Sequence, residues 1–404
     1  MFALPDDDYY AAEEKTQDIE LNYSASPQEF FDQLVNKYNR QLDKLNITKD
    51  LITYVNKNTS ENVFILKKLM DIEFSKKISC NYHPLVTSQN YGCDLREIIY
   101  NRDGSYLDNV YSRHLIELFD GKQLRRKVYH IMTDVDDTLF AHTGLGVAGA
   151  DASWSEKVPY PGIILFYQLF YNKLDEIFRY STVLSATPGV AKSGRMENQV
   201  LKNILKEYSF IQGSIESKRE LLTSGVVSGF QGFTQHIGRQ TGITNVGDFT
   251  GIHHSFGDTK FKRYQQYKSI FPEYKIIFLG DNGQGDVDAG KQMLEEPGTD
   301  TIVCIHKIIN GRLGRKESSE TMPGLYFFQD YYQLSKIFQN FRIFDENDVQ
   351  QIGQSIAQLV NNGPSGFSKF YTNVPGVTLR GGKKTRKHKN RKTRKHKKRK
   401  THKR

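Results

Sequence analysis

The stretch Asp134-Val-Asp136-Asp137-Thr138 carries the most information about the fold. It follows the run Val128-Tyr-His-Ile-Met-Thr133, whose mostly apolar side chains predict a short buried strand. Two carboxylates two residues apart therefore stand where a strand ends and a loop begins. In an open sheet of parallel strands, ligands bind at that edge. The stretch thus predicts an α/β protein with a ligand site at the strand end.

A second acidic segment, Gly280-Asp281-Asn-Gly-Gln-Gly-Asp286, follows another apolar run, Lys275-Ile-Ile-Phe-Leu279. About 145 residues separate the two acidic strand ends in the sequence. Because the carboxyl ends of parallel strands meet at one edge of a sheet, we expect both segments to build one metal site.

These residue types suit phosphoryl transfer, which needs an in-line nucleophile, a proton donor for the leaving oxygen and cations that offset developing charge. Asp134 is the candidate nucleophile and would form an aspartyl-phosphate intermediate. Asp136 is the candidate group that protonates the leaving alkoxide and then activates the hydrolytic water. Ser185 ends a predicted second strand, 181–185, where its hydroxyl can bind a phosphate oxygen.

Mg²⁺ is the expected cofactor, since this hard ion prefers carboxylate and water oxygens. The candidate metal ligands are Asp134, Asp136 through its backbone carbonyl, Asp281 and Asp286. A lysine should complete the phosphate cradle. Lys260 and Lys262 both lie at the start of a predicted helix, 260–270, and Lys260 is preferred.

Predicted strands at 126–133, 181–185, 275–279 and 301–306 alternate with predicted helices at 163–178, 191–208 and 260–270. This alternation predicts a Rossmann-like, doubly wound parallel sheet. The expected regions are a disordered acidic start (1–25), a mainly helical region (26–125), a catalytic domain (126–325) with a β-containing insertion near 212–257, a helical addition (326–362), and a linker with a basic disordered tail (363–404). In the helical region, Ser26-Pro27 should open the first of two or three helices, with a break near 56–60.

Charge is distributed unevenly along the chain. The net charge is +10, but 16 of the 56 Lys and Arg residues lie between Arg380 and Arg404, where there is no acidic residue. The rest of the chain has 40 basic against 46 acidic residues and is mildly acidic. Such a basic tail predicts binding to a polyanion, either an anionic membrane surface or nucleic acid. It also resembles nuclear-import signals and the Gly-Gly-Lys-Lys-Thr-Arg-rich endings of many proteins of large DNA viruses.

The remaining composition argues for an intracellular protein in the cytoplasm, at a membrane surface, in the nucleus or in a virion. Three widely spaced cysteines, Cys80, Cys93 and Cys304, argue against a disulfide framework and for a reducing compartment. No apolar run approaches the ~20 residues of a membrane span.

The order Asp134-x-Asp136-x-Thr138, Ser185, Lys260, Gly280-Asp281-x₄-Asp286 resembles the haloacid dehalogenase superfamily of aspartate-nucleophile phosphatases. Finer features resemble one branch, the phosphatidate phosphatase catalytic domain of the yeast actin-patch type. They are Thr133-Asp-Val-Asp-Asp-Thr-Leu139, Pro159-Tyr-Pro-Gly-Ile163, Leu184-Ser-Ala-Thr-Pro188, and Phe271-Pro272 followed by Phe278-Leu-Gly-Asp-Asn-Gly-Gln-Gly-Asp286. The resemblance covers about 126–310. It implies a haloacid dehalogenase-like core, Mg²⁺ dependence and a phosphatidate-like substrate.

The sequence departs from this branch in two places. Ser185-Ala-Thr-Pro188 stands where the branch often has Ser-Ala-Ser-Pro, and residues 212–257 do not align with it. Three functions therefore remain open: a Mg²⁺-dependent phosphatase converting phosphatidate to diacylglycerol, a phosphatase of nucleic-acid ends or nucleotides, and a catalytically inactive polyanion-binding protein.

Overall fold

The computed structural model describes most of the chain between Ile19 and Leu379. The described residues are 19–39, 42–72, 74, 79–80, 91–92, 94–101, 104–134, 137–139, 141, 151, 159–179, 181–184, 226–227, 249–282, 285–308, 321–363 and 367–379. The predictions for the acidic start up to residue 18, for the helix at 191–208 and for the basic tail from Arg380 lie outside them.

The described strands are β1 Ser79–Cys80, β2 Tyr91–Gly92, β3 Val128–Thr133, β4 Thr182–Leu184, β5 Val226–Val227, β6 Tyr274–Asp281, β7 Ile302–His306 and β8 Leu325–Phe328. β1 and β2 form a small antiparallel pair, and the other six form one sheet in the order β5-β4-β3-β6-β7-β8. Every pairing in that sheet is parallel. Along the chain, β4 and β5 extend the sheet on one side of β3, and β6, β7 and β8 then extend it on the other side. The strand order therefore reverses between β3 and β6, as in Rossmann-like sheets.

Each face of the sheet carries its own hydrophobic core, because successive strand side chains point to opposite faces. On one face, Met132, Ile276, Phe278 and Val303 pack in a cluster with the N-terminal helices and with the helix Phe249–Ile270. On the other face, Ile131, Ile277, Leu279 and Cys304 pack with the helices Ile163–Asn172, Tyr331–Asn340 and Glu346–Asn362. The predicted α/β class is confirmed, and the parallel sheet covered on both faces is consistent with a Rossmann-like fold.

The predicted N-terminal helices are present. They are Pro27–Tyr38, Lys44–Lys57 and Ser60–Ile72, followed by the shorter Leu95–Ile99 and by Tyr111–Gly121. Ser26 caps the first helix in a capping box with Glu29, as its sequence indicates. The prediction of disorder up to residue 25 is wrong for residues 19–25, since Leu21 and Ala25 are buried in the first core.

Three other predictions are corrected between Ile163 and Phe328. The first helix after the acidic loop ends at Asn172, and a 3₁₀ turn at Glu176–Phe178 replaces its predicted last turns. The helix predicted at 260–270 begins at Phe249, so 249–257 are helical and not part of a β-containing insertion. The residues Tyr326-Phe327-Phe328, assigned to a helical addition, form strand β8 beside β7.

The remaining elements match their predictions closely. Strands predicted at 275–279 and 301–306 are observed as β6 and β7. The helix Glu346–Asn362, capped by Asp345, lies within the helical addition predicted at 326–362. None of the described helices is both long and apolar enough to cross a bilayer.

A buried ion pair ties the N-terminal helices to the start of β6. The Lys67 ammonium lies 2.6 Å from Glu273 Oε1 and also donates to the Ile270 carbonyl at 2.9 Å. Both side chains are almost fully buried, and the ammonium lies over the rings of Phe119 and Phe271. A pair this deeply buried depends on both members being present.

We expect Lys67→Met to lower the free energy of unfolding by about 3–5 kcal/mol, because Glu273 would be left buried without its cation. The double variant Lys67→Met/Glu273→Leu should recover most of that loss. As a control, Asp175→Asn breaks the exposed pair with Arg126 and should cost less than about 1 kcal/mol. Urea unfolding measures all three, and a Lys67→Met loss no larger than the control's would contradict the expectation.

His130 on β3 is a second buried polar group. Its Nε2 lies 2.9 Å from Thr182 Oγ1, and its ring stacks on Tyr274 with centroids 4.3 Å apart. Burial, together with the nearby charge of Lys68, lowers the pKa of His130 to about 3. The unfolded chain therefore binds a proton that the folded chain does not, at pH values below the unfolded pKa of roughly 6.5.

Stability contributed by neutral His130 is thus complete above about pH 6.5 and is lost as the pH falls toward 3. The free energy of unfolding of the wild-type protein should fall as the pH drops from about 6.5 to about 4.5. We expect His130→Gln to reduce that slope by up to roughly 1.4 kcal/mol per pH unit. The exposed His114 provides the control, because removing an exposed side chain, His114→Gln, should change the slope less than removing the buried one. Urea titrations at several pH values test this; parallel wild-type and His130→Gln curves would refute it.

Candidate active site

The acidic residues lie where the strand order reverses. Asp134 directly follows β3, and its backbone N–H donates to the Leu279 carbonyl of β6 at 2.8 Å. Asp281 is the last residue of β6, and Asp286 is the first residue of the helix Asp286–Glu295. The predicted meeting of the two acidic strand ends is therefore observed at the position where open α/β sheets bind ligands.

The three carboxylates are close together and buried. One oxygen from each of Asp134, Asp281 and Asp286 lies within 4.8 Å of the other two. The three residues are 2%, 0% and 0% exposed, respectively. We call these three residues and Lys260 the acidic cluster.

Lys260 supplies the positive charge of the acidic cluster. Its ammonium lies 3.3 Å from Asp134 Oδ1 and forms an ion pair with Asp286 Oδ1. The side chain is buried on the helix Phe249–Ile270, which we call the lysine helix. Lys262 is exposed on the same helix and packs against Gly104, away from the carboxylates. The structure thus places Lys260, and not Lys262, at the site.

Asp286 is engaged through both oxygens. Oδ1 contacts Lys260, and Oδ2 accepts the backbone N–H of Asp281 at 3.0 Å. Gly280 makes this approach feasible, since a Cβ there would lie 2.7 Å from the Asp286 Cβ. Asp286 therefore positions the lysine and the end of β6. Each carboxylate oxygen has a second lone pair, so it can also face a metal ion.

The electrostatics of the acidic cluster show a shortage of positive charge. Burial alone would lower the pKa of Lys260, but the carboxylates of Asp134 and Asp286 outweigh it, so the pKa is raised and the ammonium stays charged. Burial raises the pKa of Asp286 well above its usual range; Lys260 opposes this rise, while Asp134 and Asp281 add to it. Three buried carboxylates share one ammonium among the described residues. The donor set of Asp134, Asp281 and Asp286 fits a hard divalent cation such as Mg²⁺.

The loop after Asp134 is held by residues that the sequence analysis did not single out. Asp137 has a left-handed backbone with φ of 58°, which is uncommon outside glycine. His306 Nδ1 lies 2.6 Å from the Asp137 carbonyl oxygen, and His306 Nε2 lies 3.1 Å from the Gln329 carbonyl oxygen. The Tyr331 hydroxyl donates to the Thr138 carbonyl at 3.0 Å.

The available sequence signal for His306 was its position. It is the last residue of β7, beside Asp281 in the register of the sheet. A polar residue at the carboxyl end of a strand next to the switch point is a candidate site residue on position alone. No comparable signal identifies Tyr331, whose contact depends on how the C-terminal helices pack.

Two predicted site residues, Asp136 and Ser185, lie outside the described residues. Their predicted roles as acid and base, as a metal ligand through the Asp136 carbonyl, and as a phosphate ligand through Ser185 stay predictions. The structure brings together the other four, Asp134, Lys260, Asp281 and Asp286.

No family model, curated protein or solved structure matches the chain. The likeness to aspartate-nucleophile phosphatases therefore depends on the motifs and on the geometry described above.

Replacing Lys260 should destabilise the protein strongly. In Lys260→Met the three carboxylates would keep their burial but lose their cation, and we expect a loss of about 3–5 kcal/mol in the free energy of unfolding. Lys262→Met, on the same helix but exposed, should change it by less than about 0.5 kcal/mol. Urea unfolding compares them, and similar losses for the two variants would show that Lys260 does not balance the acidic cluster.

Proposed function

We propose that the protein is a Mg²⁺-dependent phosphomonoester hydrolase of the haloacid dehalogenase type, acting on phosphatidate or a closely related lipid phosphate. The observation that carries this proposal is the buried Asp134 carboxylate at the sheet's switch point, beside Asp281 and in contact with Lys260. The motif order supplies the family, and the resemblance to the phosphatidate phosphatase branch supplies the substrate class.

In the first half-reaction, an Asp134 carboxylate oxygen attacks phosphorus and the bond from phosphorus to the ester oxygen breaks. Asp136 gives its proton to the leaving alkoxide, so the products are an aspartyl-phosphate and an alcohol, diacylglycerol in the case of phosphatidate. In the second half-reaction, Asp136 takes a proton from water. The resulting oxygen nucleophile attacks phosphorus, releases inorganic phosphate and restores the Asp134 carboxylate.

The remaining residues of the acidic cluster offset charge. Lys260 is charged and touches Asp134 Oδ1, so it stands beside the negative charge of the transferring group. Asp286 holds that ammonium in place. A bound Mg²⁺, held by Asp134, Asp281 and Asp286, would neutralise the excess carboxylate charge and polarise a phosphoryl oxygen.

A phosphatase of nucleic-acid ends or nucleotides is the second candidate. The chemistry of the acidic cluster would be the same, and the basic tail of 16 Lys and Arg residues would hold the polyanion. In both candidate reactions Asp134 attacks a phosphomonoester, but the alcohol released is a lipid in one and a nucleotide or nucleic-acid end in the other. Comparing turnover of lipid and nucleic-acid substrates therefore separates the two candidates.

Asp134→Asn should lower phosphate release by roughly a thousandfold or more, because a neutral amide cannot form the acyl-phosphate.

Phosphate release should be measured from phosphatidate in mixed micelles, from 3′- and 5′-phosphorylated DNA and from an aryl phosphate, each with Mg²⁺ and with a chelator. We expect phosphatidate to be turned over fastest, and only with Mg²⁺.

The matched control is Asp258→Asn, an exposed carboxylate on the lysine helix that contacts Gln292 and not the acidic cluster. It should keep near-normal activity. Substantial turnover by Asp134→Asn would refute the assignment of the nucleophile. Turnover of DNA ends in preference to phosphatidate would support the second candidate, and no turnover of any substrate would leave the inactive polyanion-binding protein.

A further inference from the structure

A short segment after Asp134 is bound at each of its successive carbonyl groups. The segment is 137–139, and we call it the loop turn. Its carbonyl oxygens contact, in chain order, His306 Nδ1 at 2.6 Å, the Tyr331 hydroxyl at 3.0 Å and Tyr160 N at 3.1 Å. All three residues of the loop turn are buried. Because the contacting groups lie on different parts of the chain, the loop turn is fixed from several sides.

The backbone of the loop turn depends on these contacts for its shape. Asp137 has a φ of 58°, in the left-handed region that a residue with a side chain seldom adopts. Such a conformation persists only where the surrounding structure holds it. Only two residues separate Asp134 from Asp137 in the sequence, and one of them is Asp136, the predicted acid and base. The loop turn is therefore the anchor of the chain directly after both predicted catalytic carboxylates.

The His306 ring is itself held in one orientation. It is buried, stacks on Phe328 with ring centroids 5.1 Å apart, and packs edge to face against Tyr160 with centroids 4.5 Å apart. Its second nitrogen, Nε2, lies 3.1 Å from the Gln329 carbonyl oxygen. A carbonyl oxygen only accepts, so a hydrogen bond at either contact requires a proton on that ring nitrogen. The two aromatic neighbours thus keep Nδ1 directed at the Asp137 carbonyl.

One corner of the chain, residues 328–331, supports two of the three contacts. Phe328 ends β8 and pairs with His306 in the register of the sheet. Asp330 caps the helix that Tyr331 begins, and its side chain accepts the N–H of the residue three positions later at 2.8 Å. The cap fixes the start of this helix and so the place from which the Tyr331 hydroxyl reaches the loop turn. The corner lies beyond the residues that carry the phosphatase motifs.

We propose that His306 and Tyr331 are positioning residues for phosphoryl transfer, which hold Asp134 and Asp136 in their reactive arrangement by fixing the loop turn. This role rests on the proposed function. Each residue acts through a backbone carbonyl and not through the substrate. Displacing a reacting group by about 1 Å can slow a reaction about a hundredfold, so the contacts bear on rate as well as on stability. The corner 328–331 is then part of the catalytic unit.

Two substitutions of His306 separate the roles of its two nitrogens. The amide nitrogen of asparagine lies the same number of bonds from the backbone as Nδ1, and that of glutamine the same number as Nε2. His306→Asn therefore keeps a donor for the Asp137 carbonyl, whereas His306→Gln keeps one only for the Gln329 carbonyl. Both variants lose the packing of the aromatic ring, so a difference between them reports the hydrogen bond.

Phosphate release from an aryl phosphate with Mg²⁺ should be measured for both variants. We expect His306→Gln to lower kcat at least about thirtyfold and His306→Asn at most about fivefold, because only the first frees the loop turn. KM should change less than about threefold in either variant, since a displaced nucleophile slows the chemical step and leaves substrate binding intact. Equal effects of the two substitutions on kcat, or a larger loss in His306→Asn, would overturn the role of Nδ1.

A second pair of variants compares Tyr331 with a matched tyrosine. Tyr331→Phe removes the hydroxyl that binds the Thr138 carbonyl. The control Tyr171→Phe removes a hydroxyl that lies 2.6 Å from Ser181 Oγ, from a fully buried ring in the same hydrophobic core. Both should lose similar stability in urea unfolding, but only Tyr331→Phe should lower kcat, by at least about tenfold. A kcat for Tyr331→Phe as high as the control's would show that this hydroxyl serves stability alone.

Amide hydrogen exchange of the peptide that contains residues 134–139 needs no turnover. These amides should exchange at least about tenfold faster in His306→Gln than in His306→Asn, because a loop that loses its anchor opens locally. If this difference is found while the wild type hydrolyses no substrate, the proposed function fails and the anchoring stands. If the wild type is active but the variants differ neither in exchange nor in kcat, the positioning role fails alone.

Discussion

The contact between Lys260 and the carboxylates of Asp134 and Asp286 constrains the rest of the structure. It joins three separate elements: the end of β3, the lysine helix and the helix that follows β6. Removing three carboxylates and an ammonium from water is costly unless their geometry is held closely. Gly257 shows how close the packing is, since a Cβ there would lie 2.8 Å from the Gly285 carbonyl, just before Asp286. A larger residue would move the lysine helix away from the acidic cluster.

The N-terminal helices belong to this frame. Lys67 fixes the end of the lysine helix through the Ile270 carbonyl, and the Tyr100 hydroxyl lies 2.7 Å from Ser269 Oγ on its last turn. Gln266, one turn before the end of the same helix, donates to the Gly104 carbonyl at 3.3 Å. The region before β3 thus packs against the lysine helix and sets the position of Lys260. Its burial in a core shared with the sheet explains why a helical pattern alone did not reveal its role.

The parts of the fold that local sequence determines were predictable, and those that distant pairing determines were not. Apolar runs identify β6 and β7 because both faces of those strands are buried, and Ser26 with Glu29 marks a helix start through contacts three residues apart. β8 was missed because the apolar run Tyr326 to Phe328 is too short to distinguish a strand from part of a helix; pairing with β7 decides between them. The early start of the lysine helix was missed because Gly257 interrupts its pattern.

Part of the candidate site was also predictable, because it depends on local sequence. Asp134 and Asp281 follow clear strands, so their meeting required only that the strands be parallel neighbours. Choosing Lys260 over Lys262 required the helix phase relative to the sheet, which the sequence left open. His306 depended on β7 lying next to β6, and strand order is a property of the whole sheet.

Burying the acidic cluster costs folding free energy, and this cost is an argument that the cluster has a function. Replacing a buried charge network by well-packed apolar residues of similar volume often leaves the stability of a protein unchanged or raises it by about 1–4 kcal/mol. A protein that only bound polyanions through its basic tail would gain nothing from burying three carboxylates near one lysine at the opening of its sheet. Such an arrangement also repels the anion that the tail attracts, unless a divalent cation completes the site. The combination is coherent for an enzyme that must stabilise a phosphoryl group at Asp134, and it has no evident use in a passive tether.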